Sequence, residues 1–308
     1  MPRSAYVLAA LATAAVRDLH PVAAREPDVS GADFDVAVVQ DARRRRWVVR
    51  APRGAAAGAA LESELRLLAA LGELAGQPGG LAFDVPRVAG SAPLPEGGRA
   101  VVYPYLDGAP LHPGELRPGP GLAAGLGRAL ASLHDLPHSV VEEAGLPVYD
   151  AGEYRERRLA EVDRAAQTGH VPARLLTRWE KVLEDVGRWR FQPAVVHGDL
   201  VAEHVLVAGG RVVGMLDWGE AKVADPADDL AWVAVGADAD ALDSVLESYA
   251  VARREQPDRH LATRARLAGE LALARWLLHG VTTGESSVVD DAVQMLRDLD
   301  ADVGDEPL

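Results

Sequence analysis

The spacing of apolar positions changes period several times along the chain. Val7, Leu8, Leu11, Ala15 and Leu19 recur at helical spacing, so residues 6–19 predict a helix that Pro21 stops. Phe34, Val36 and Val38 then alternate with Asp33, Asp35 and Ala37, the mark of a half-buried strand. A turn over 41–45 leads into a second strand at 47–51, closed by Pro52. Residues 54–76 predict an Ala/Leu-rich helix with the stripe Leu61, Leu65, Leu68 and Leu71. Short strands are expected at 85–89 and 100–103, and the chain changes character at Tyr103-Pro104-Tyr105-Leu106-Asp107-Gly108. Beyond that point helical spacing dominates, at 122–133, 154–166, 172–188, 228–235, 240–252, 262–278 and 287–299. The pattern divides the chain into a β-rich part with one long helix at 1–103, a connector at 104–108 and a mainly helical part at 109–308.

One stretch interrupts the helices. Val195-Val196 runs into His197-Gly198-Asp199, where glycine permits a sharp turn that presents Asp199. Two apolar runs, 205–207 and 212–216, follow with Ala208-Gly209-Gly210-Arg211 between them, a hairpin signal. Closing that hairpin brings His204 and Asp217 together at its open end, with Asp199 a few residues upstream. This order of groups is that of a kinase catalytic loop and its metal-binding aspartate. Asp199 would orient an acceptor hydroxyl and take its proton, while Asp217 and His204 would hold Mg2+. A lone H-x-D carries little weight. The full string, continued by Asp225-Pro226 and Asp229-Leu230, is specific.

Arg50 is the second unusual position, a charge inside an apolar strand, on the face of Val48. Such a charge needs a partner, a wet cavity or an exposed edge. Glu62 and Glu64 on the following helix are the candidates, with Glu64 preferred. Ser30-Gly31, before the first strand, is a weak candidate for a loop over phosphates. His134 and His197 read as packing or loop-bracing residues, and Asp225 and Asp229 as braces for the loop after Asp217.

Composition narrows the picture. The 308 residues are 48% hydrophobic and 25% charged, an ordinary soluble balance with room for real cores. A net charge of −14 argues against nucleic acid or an anionic membrane as the main partner; an acidic surface would suit a cationic small molecule, and solubility alone explains it equally well. With no cysteine there is no disulfide framework, thiolate metal site or thiol nucleophile. The N-terminal apolar run continues its helical face through Arg17-Asp18, which favours a structural helix over a leader peptide. No run is long enough to span a membrane. A cytoplasmic location and a monomer are the expectations for this chain. The basic run Arg43-Arg44-Arg45-Arg46 reads as a solvated hairpin tip.

These residues resemble the aminoglycoside/macrolide kinase superfamily, and within it the macrolide 2′-phosphotransferases. The likeness lies in His197-Gly198-Asp199-Leu200 with His204 where most relatives have Asn, and in Asp33-Phe34-Asp35-Val36 with Trp47-Val48-Val49-Arg50, where most kinases have Lys. Val201-Ala202-Glu203 departs from that group's usual His-Pro-Gly. The resemblance implies an α+β, protein-kinase-like two-lobed fold with a five-stranded antiparallel N-lobe. It implies transfer of the γ-phosphate of GTP or ATP to the 2′-hydroxyl of a macrolide amino-sugar, which inactivates the drug. An aminoglycoside or another small hydroxylated metabolite stays open as the acceptor. It further implies that Arg50, held by Glu64, pairs the nucleotide phosphates, and that backbone groups of Tyr103 and Tyr105 face the base. Trp276, Leu277 and Leu278, with Glu270 and Glu285, are candidates for the acceptor pocket.

Overall fold

In the computed structural model, which describes residues 2–27, 31, 33–303 and 308, the first apolar run folds as helix α1 (Ala5–Ala15). Next come β1 (Pro21–Arg25), β2 (Phe34–Asp41), β3 (Arg46–Pro52), α2 (Ala55–Leu74), β4 (Gly90–Pro93), β5 (Arg99–Pro104) and β6 (Ala109–Pro110). The middle of the chain forms α3 (Leu122–His134), α4 (Ser139–Glu142), α5 (Ala151–Gln167), α6 (Ala173–Glu184), β7 (Ala194–Val196), β8 (Val205–Ala208), β9 (Arg211–Met215) and β10 (Lys222–Ala224). Helices α7 (Ala227–Gly236), α8 (Ala239–Ala252), α9 (Leu261–Thr283) and α10 (Ser286–Val303) follow. Two compact units result. The first comprises Met1–Pro110, Ser139–Leu146 and His204–Gly219, and the second Leu111–His138, Pro147–Glu203 and Glu220–Leu308. This division is not a single cut at 104–108, because two later segments return to the first unit.

The first unit is built on an antiparallel sheet in the order β1-β2-β3-β5-β4. The alternation in β2 is real, but its deeply buried set is Asp35, Ala37, Val39 and Asp41, not Phe34, Val36 and Val38. Ala37 and Val39 join Trp47, Val49 and Ala51 beneath Leu8 and Ala12 of α1. The other face carries half-buried Val36 opposite Arg50, and Val38 opposite Val48. Period-two patterning cannot tell inner from outer when both faces are covered. Asp35 on the α1 face accepts from the Arg3 backbone at 3.0 Å, from Arg3 Nη1 at 2.8 Å and from Arg53 Nε at 2.7 Å. Burial raises its carboxyl, but these donors outweigh burial and hold it below the usual range.

Two strands escape the sequence pattern. β1 is an irregular edge strand with mostly exposed side chains, and β4 reads Gly-Ser-Ala-Pro, a composition poor in β-formers. The expected strand at 85–89 is absent; its neighbour Asp84 instead forms an isolated bridge to Gly214. That bridge ties the β8–β9 hairpin into the first unit, with Asp84 N donating to Val213 O at 2.9 Å and Met215 N to Asp84 O at 3.0 Å. Phe83 stacks on buried Trp218 with ring centroids 6.3 Å apart. Gly209 and Gly210 sit at φ 57° and 71°, the left-handed pair that a tight hairpin turn requires.

The second unit is a helical assembly around Trp179, Trp189, Phe191, Leu271, Leu277 and Leu296. Helices α3 and α8 approach so closely that a Cβ at Gly127 would lie 2.3 Å from the Val245 carbonyl. The antiparallel ribbon β7–β10 crosses this unit, with Val196 opposite Lys222. Its buried charges are paired: Arg264 holds Asp225 at 2.6 Å and Asp258 at 2.8 Å, and Glu270 takes Arg178 at 2.9 Å and the Trp179 indole at 2.7 Å. Among the described residues no helix is long and apolar enough to cross a membrane.

Candidate active site

In the first unit, the Arg50 guanidinium reaches Glu64 at 2.6 Å, lies 3.9 Å from Asp217 Oδ1, and covers the Phe34 ring at 4.3 Å. Glu62 is engaged elsewhere, in a two-point pair with half-buried Arg99 at 2.7 and 2.8 Å. Glu64 also accepts from the Trp218 amide, so one buried carboxylate orders both Arg50 and the segment after β9. Burial pushes the Glu64 carboxyl above the usual range, although Arg50 pulls the other way. Tyr103 completes the cluster with its side chain, whose phenol is pushed up by burial and by Glu64. Asp217 stands at φ 64°, a left-handed conformation that Asp tolerates at some cost and that recurs at functional sites. Half of its side chain is exposed, and Oδ2 lies 3.7 Å from His204 Nε2.

Asp199 belongs to the second unit. It is exposed at the end of β7, between half-buried Gly198 and buried Leu200, where it lines a cavity of about 790 Å³. Fully buried Asp229 builds the turn beneath it: its carboxylate accepts from the His197 amide at 2.8 Å and the Gly198 amide at 2.9 Å. The same carboxylate meets His134 Nε2 at 3.1 Å, and His134 Nδ1 reaches the Tyr249 hydroxyl at 2.8 Å. Burial raises Asp229, but the His134 hydrogen bond and charge, with the Gly198 amide, win and hold it below the ordinary carboxylate value. Gly198 stands at φ 83°, and a Cβ there would fall 2.2 Å from the Glu220 carbonyl and 2.6 Å from Lys222 Nζ. The turn therefore admits only glycine.

The structure thus gathers Arg50, Glu64, His204 and Asp217 in one unit and sets Asp199 on a cavity of the other. Asp229 braces the turn before Asp199 rather than the loop after Asp217, and Asp225 pairs with Arg264 instead of bracing any active loop. The Tyr105 amide donates to the Arg46 carbonyl at 2.9 Å. Ser30 lies outside the described residues. Of the pocket candidates, Trp276 and Leu278 line the cavity, Leu277 is buried in the core and Glu270 is bound to Arg178; Glu285 is not among the lining residues.

The cavity wall that sequence reasoning missed comes from one face of α5, with Arg157, Glu161 and Arg164, and one face of α9, with Ala272, Arg275, His279 and Thr282. Their three- and four-residue spacing was the available signal. Among the described residues, no three His, Asp or Glu side chains gather closely enough to hold a metal ion by themselves. Asp217 with His204 offers one carboxylate and one imidazole. Magnesium is normally held by one or two carboxylates together with substrate phosphates and water, so Asp217 fits a metal that arrives with a nucleotide.

The model of the phosphotransferase enzyme family matches residues 25–277. The chain belongs to that family. Its fold is similar to the solved macrolide 2′-phosphotransferase type I, with a TM-score of 0.77, 29% identity, and coverage of 94% of this chain and 95% of that one. It is likewise similar to macrolide 2′-phosphotransferase MphH from Brachybacterium faecium, with a TM-score of 0.75, 26% identity, and coverage of 91% and 93%. An uncharacterized protein of Bacillus subtilis, YcbJ, is 30% identical over 213 residues, 65% of this phosphotransferase and 66% of that relative. The match thus spans just under two thirds of that relative's length. The α+β, kinase-like fold that the resemblance implied is the fold of this phosphotransferase.

Proposed function

We propose that this phosphotransferase moves the γ-phosphoryl group of GTP or ATP, with Mg2+, to a hydroxyl of a small molecule. The acceptor supported by its likeness to two solved macrolide 2′-phosphotransferases is the 2′-hydroxyl of a macrolide amino-sugar. The observation that carries the reaction class is an exposed carboxylate, Asp199, on a cavity and on a turn pinned by a buried carboxylate. The acceptor oxygen attacks the γ-phosphorus, the bond to the bridging oxygen of the nucleoside diphosphate breaks, and the hydroxyl proton passes to Asp199. An ordinary carboxylate is a weak base, but the loose transition state asks for orientation first and proton removal late. Arg50 would engage phosphate oxygens in its fixed fork while Glu64 holds it, and Asp217 would hold the magnesium. When bound, the metal neutralises charge developing on the phosphate oxygens.

Phosphate transfer from GTP and from ATP, with magnesium, to erythromycin and kanamycin, read by product mass, tests the reading. A phosphorylated erythromycin supports it; intact acceptors with both donors would remove the antibiotic assignment. A second reading, a hydroxylated metabolite as acceptor, is favoured by the basic lining of the cavity, where a polycationic aminoglycoside would be repelled.

Arg50→Ala is expected to weaken nucleotide binding about tenfold to a hundredfold, the range for a charged hydrogen bond. Arg50→Lys should recover only part of this, because an ammonium lacks the fixed planar fork with which a guanidinium engages oxygens two at a time. Because Glu64 titrates above the ordinary Glu range, nucleotide affinity should begin to fall on acidification before an ordinary glutamate would protonate. Calorimetric titration with GTP and ATP across pH measures all three, and an unchanged affinity in Arg50→Ala would take Arg50 out of the nucleotide site.

A further inference from the structure

The chain carries 46 acidic residues against 32 Lys and Arg, yet the wall around Asp199 reverses that balance. Five lining residues are Lys or Arg and three are Asp or Glu. Pairing shows which charges remain for a ligand. Buried Arg158 holds Glu161 at 2.8 Å and Asp228 at 2.9 Å, and Arg275 reaches the other Glu161 oxygen at 3.4 Å, so this group of two cations and two anions is balanced. Lys222 lies 3.9 Å from Glu220. That leaves Arg157 and Arg164, both exposed on the cavity face of α5, and neither makes an ion pair among the described residues. Arg157 is steadied by the Tyr149 ring at 5.0 Å. Seven residues apart on one helix, the two positions are about 10 Å apart along its axis. Opposite them Trp276 stacks on His279 at 5.5 Å and offers a flat shelf to a carbon skeleton.

We propose that the cavity beside Asp199 selects an acceptor that carries negative charge, a hydroxyl compound with a carboxylate or phosphate group engaged by Arg157 and Arg164. The inference rests on the phosphotransfer reading and takes its second acceptor, a hydroxylated metabolite, in preference to a macrolide, whose amino-sugar is cationic. A polycation would bring its ammonium groups to unneutralised guanidinium groups, whereas an anion on the same skeleton gains at each of them.

Calorimetric binding with GDP and magnesium present tests this without catalysis, on sorbitol, gluconate and 6-phosphogluconate, whose negative charge increases in that order, and on erythromycin and kanamycin. Affinity is expected to rise with negative charge, with 6-phosphogluconate at least about tenfold tighter than sorbitol, about 1.4 kcal/mol. The double variant Arg157→Gln/Arg164→Gln should lose most of that difference, while its thermal unfolding matches the native chain because both side chains are exposed. A flat or reversed order, no binding at millimolar concentration, tighter binding of erythromycin or kanamycin, or an unchanged double variant would each overturn the proposal. The phosphotransfer reading fails separately: a chain that binds 6-phosphogluconate but transfers phosphate to no acceptor keeps the anion site and loses the kinase.

Discussion

Replacing Asp199 with Asn is expected to lower phosphoryl transfer by about a hundredfold to ten-thousandfold, the range for removing a positioned general base. The substitution keeps the shape of the side chain and one acceptor oxygen, so the hydroxyl can still dock, but the proton it must lose has no carboxylate to receive it. Fold and nucleotide affinity should stay close to native values. The turn that carries residue 199 is held by Asp229 through the amides of His197 and Gly198. The groups assigned to phosphate and metal, Arg50, Glu64 and Asp217, lie in the other compact unit. The pattern to look for is a fall in kcat with the nucleotide KM nearly unchanged, which marks an interaction made mainly in the transition state. Transfer within a few-fold of native would show that the cavity beside Asp199 is not where the acceptor reacts.

Much of this was legible because the informative features are local. Gly209-Gly210 between two apolar runs dictates a hairpin, and a hairpin dictates that residues at its open end meet, so His204 and Asp217 could be paired from spacing alone. Arg50 was legible for a different reason: a charge in an apolar strand demands a partner, and the next helix offered two glutamates. Glu64 wins because it falls on the buried face of α2, with Leu61, Leu65 and Leu68, whereas Glu62 points toward Arg99.

The features that were missed depend on contacts between distant segments. Which face of β2 is inner follows from α1 packing on one side of the sheet, and no alternation within β2 encodes that. The role of Asp229 depends on a turn about thirty residues earlier and on His134 almost a hundred residues away. Sequence proximity pointed instead to the loop after Asp217. Strand β4 was invisible because Gly-Ser-Ala-Pro has little strand propensity; pairing with β5 overrides composition. The cavity's charge was obscured by the overall value of −14, since net charge says nothing about how a minority of arginines is placed.

Asp229→Ala is expected to cost about 3–5 kcal/mol of stability in the second unit, the range for removing one partner from a buried charged network. Both oxygens of this carboxylate are engaged, so its loss leaves two backbone amides and the His134 ring without their acceptor in a site closed to water. Asp229→Asn should be milder in volume but not in chemistry: its amide end would turn a donor toward another donor. The effect on catalysis should exceed what the unfolded fraction explains, because Gly198, at φ 83°, is held in its conformation partly by these bonds, and a relaxed turn would misplace Asp199. The same carboxylate sets a pH dependence. With its folded pKa held below the unfolded value, its contribution is fully present above the unfolded pKa of about 3.9 and is lost as pH falls through the folded value. Urea unfolding at neutral pH and at values below about pH 4 measures both effects. The native chain should lose stability on acidification more steeply than Asp229→Ala, and parallel acid profiles would show that Asp229 does not carry this part of the fold.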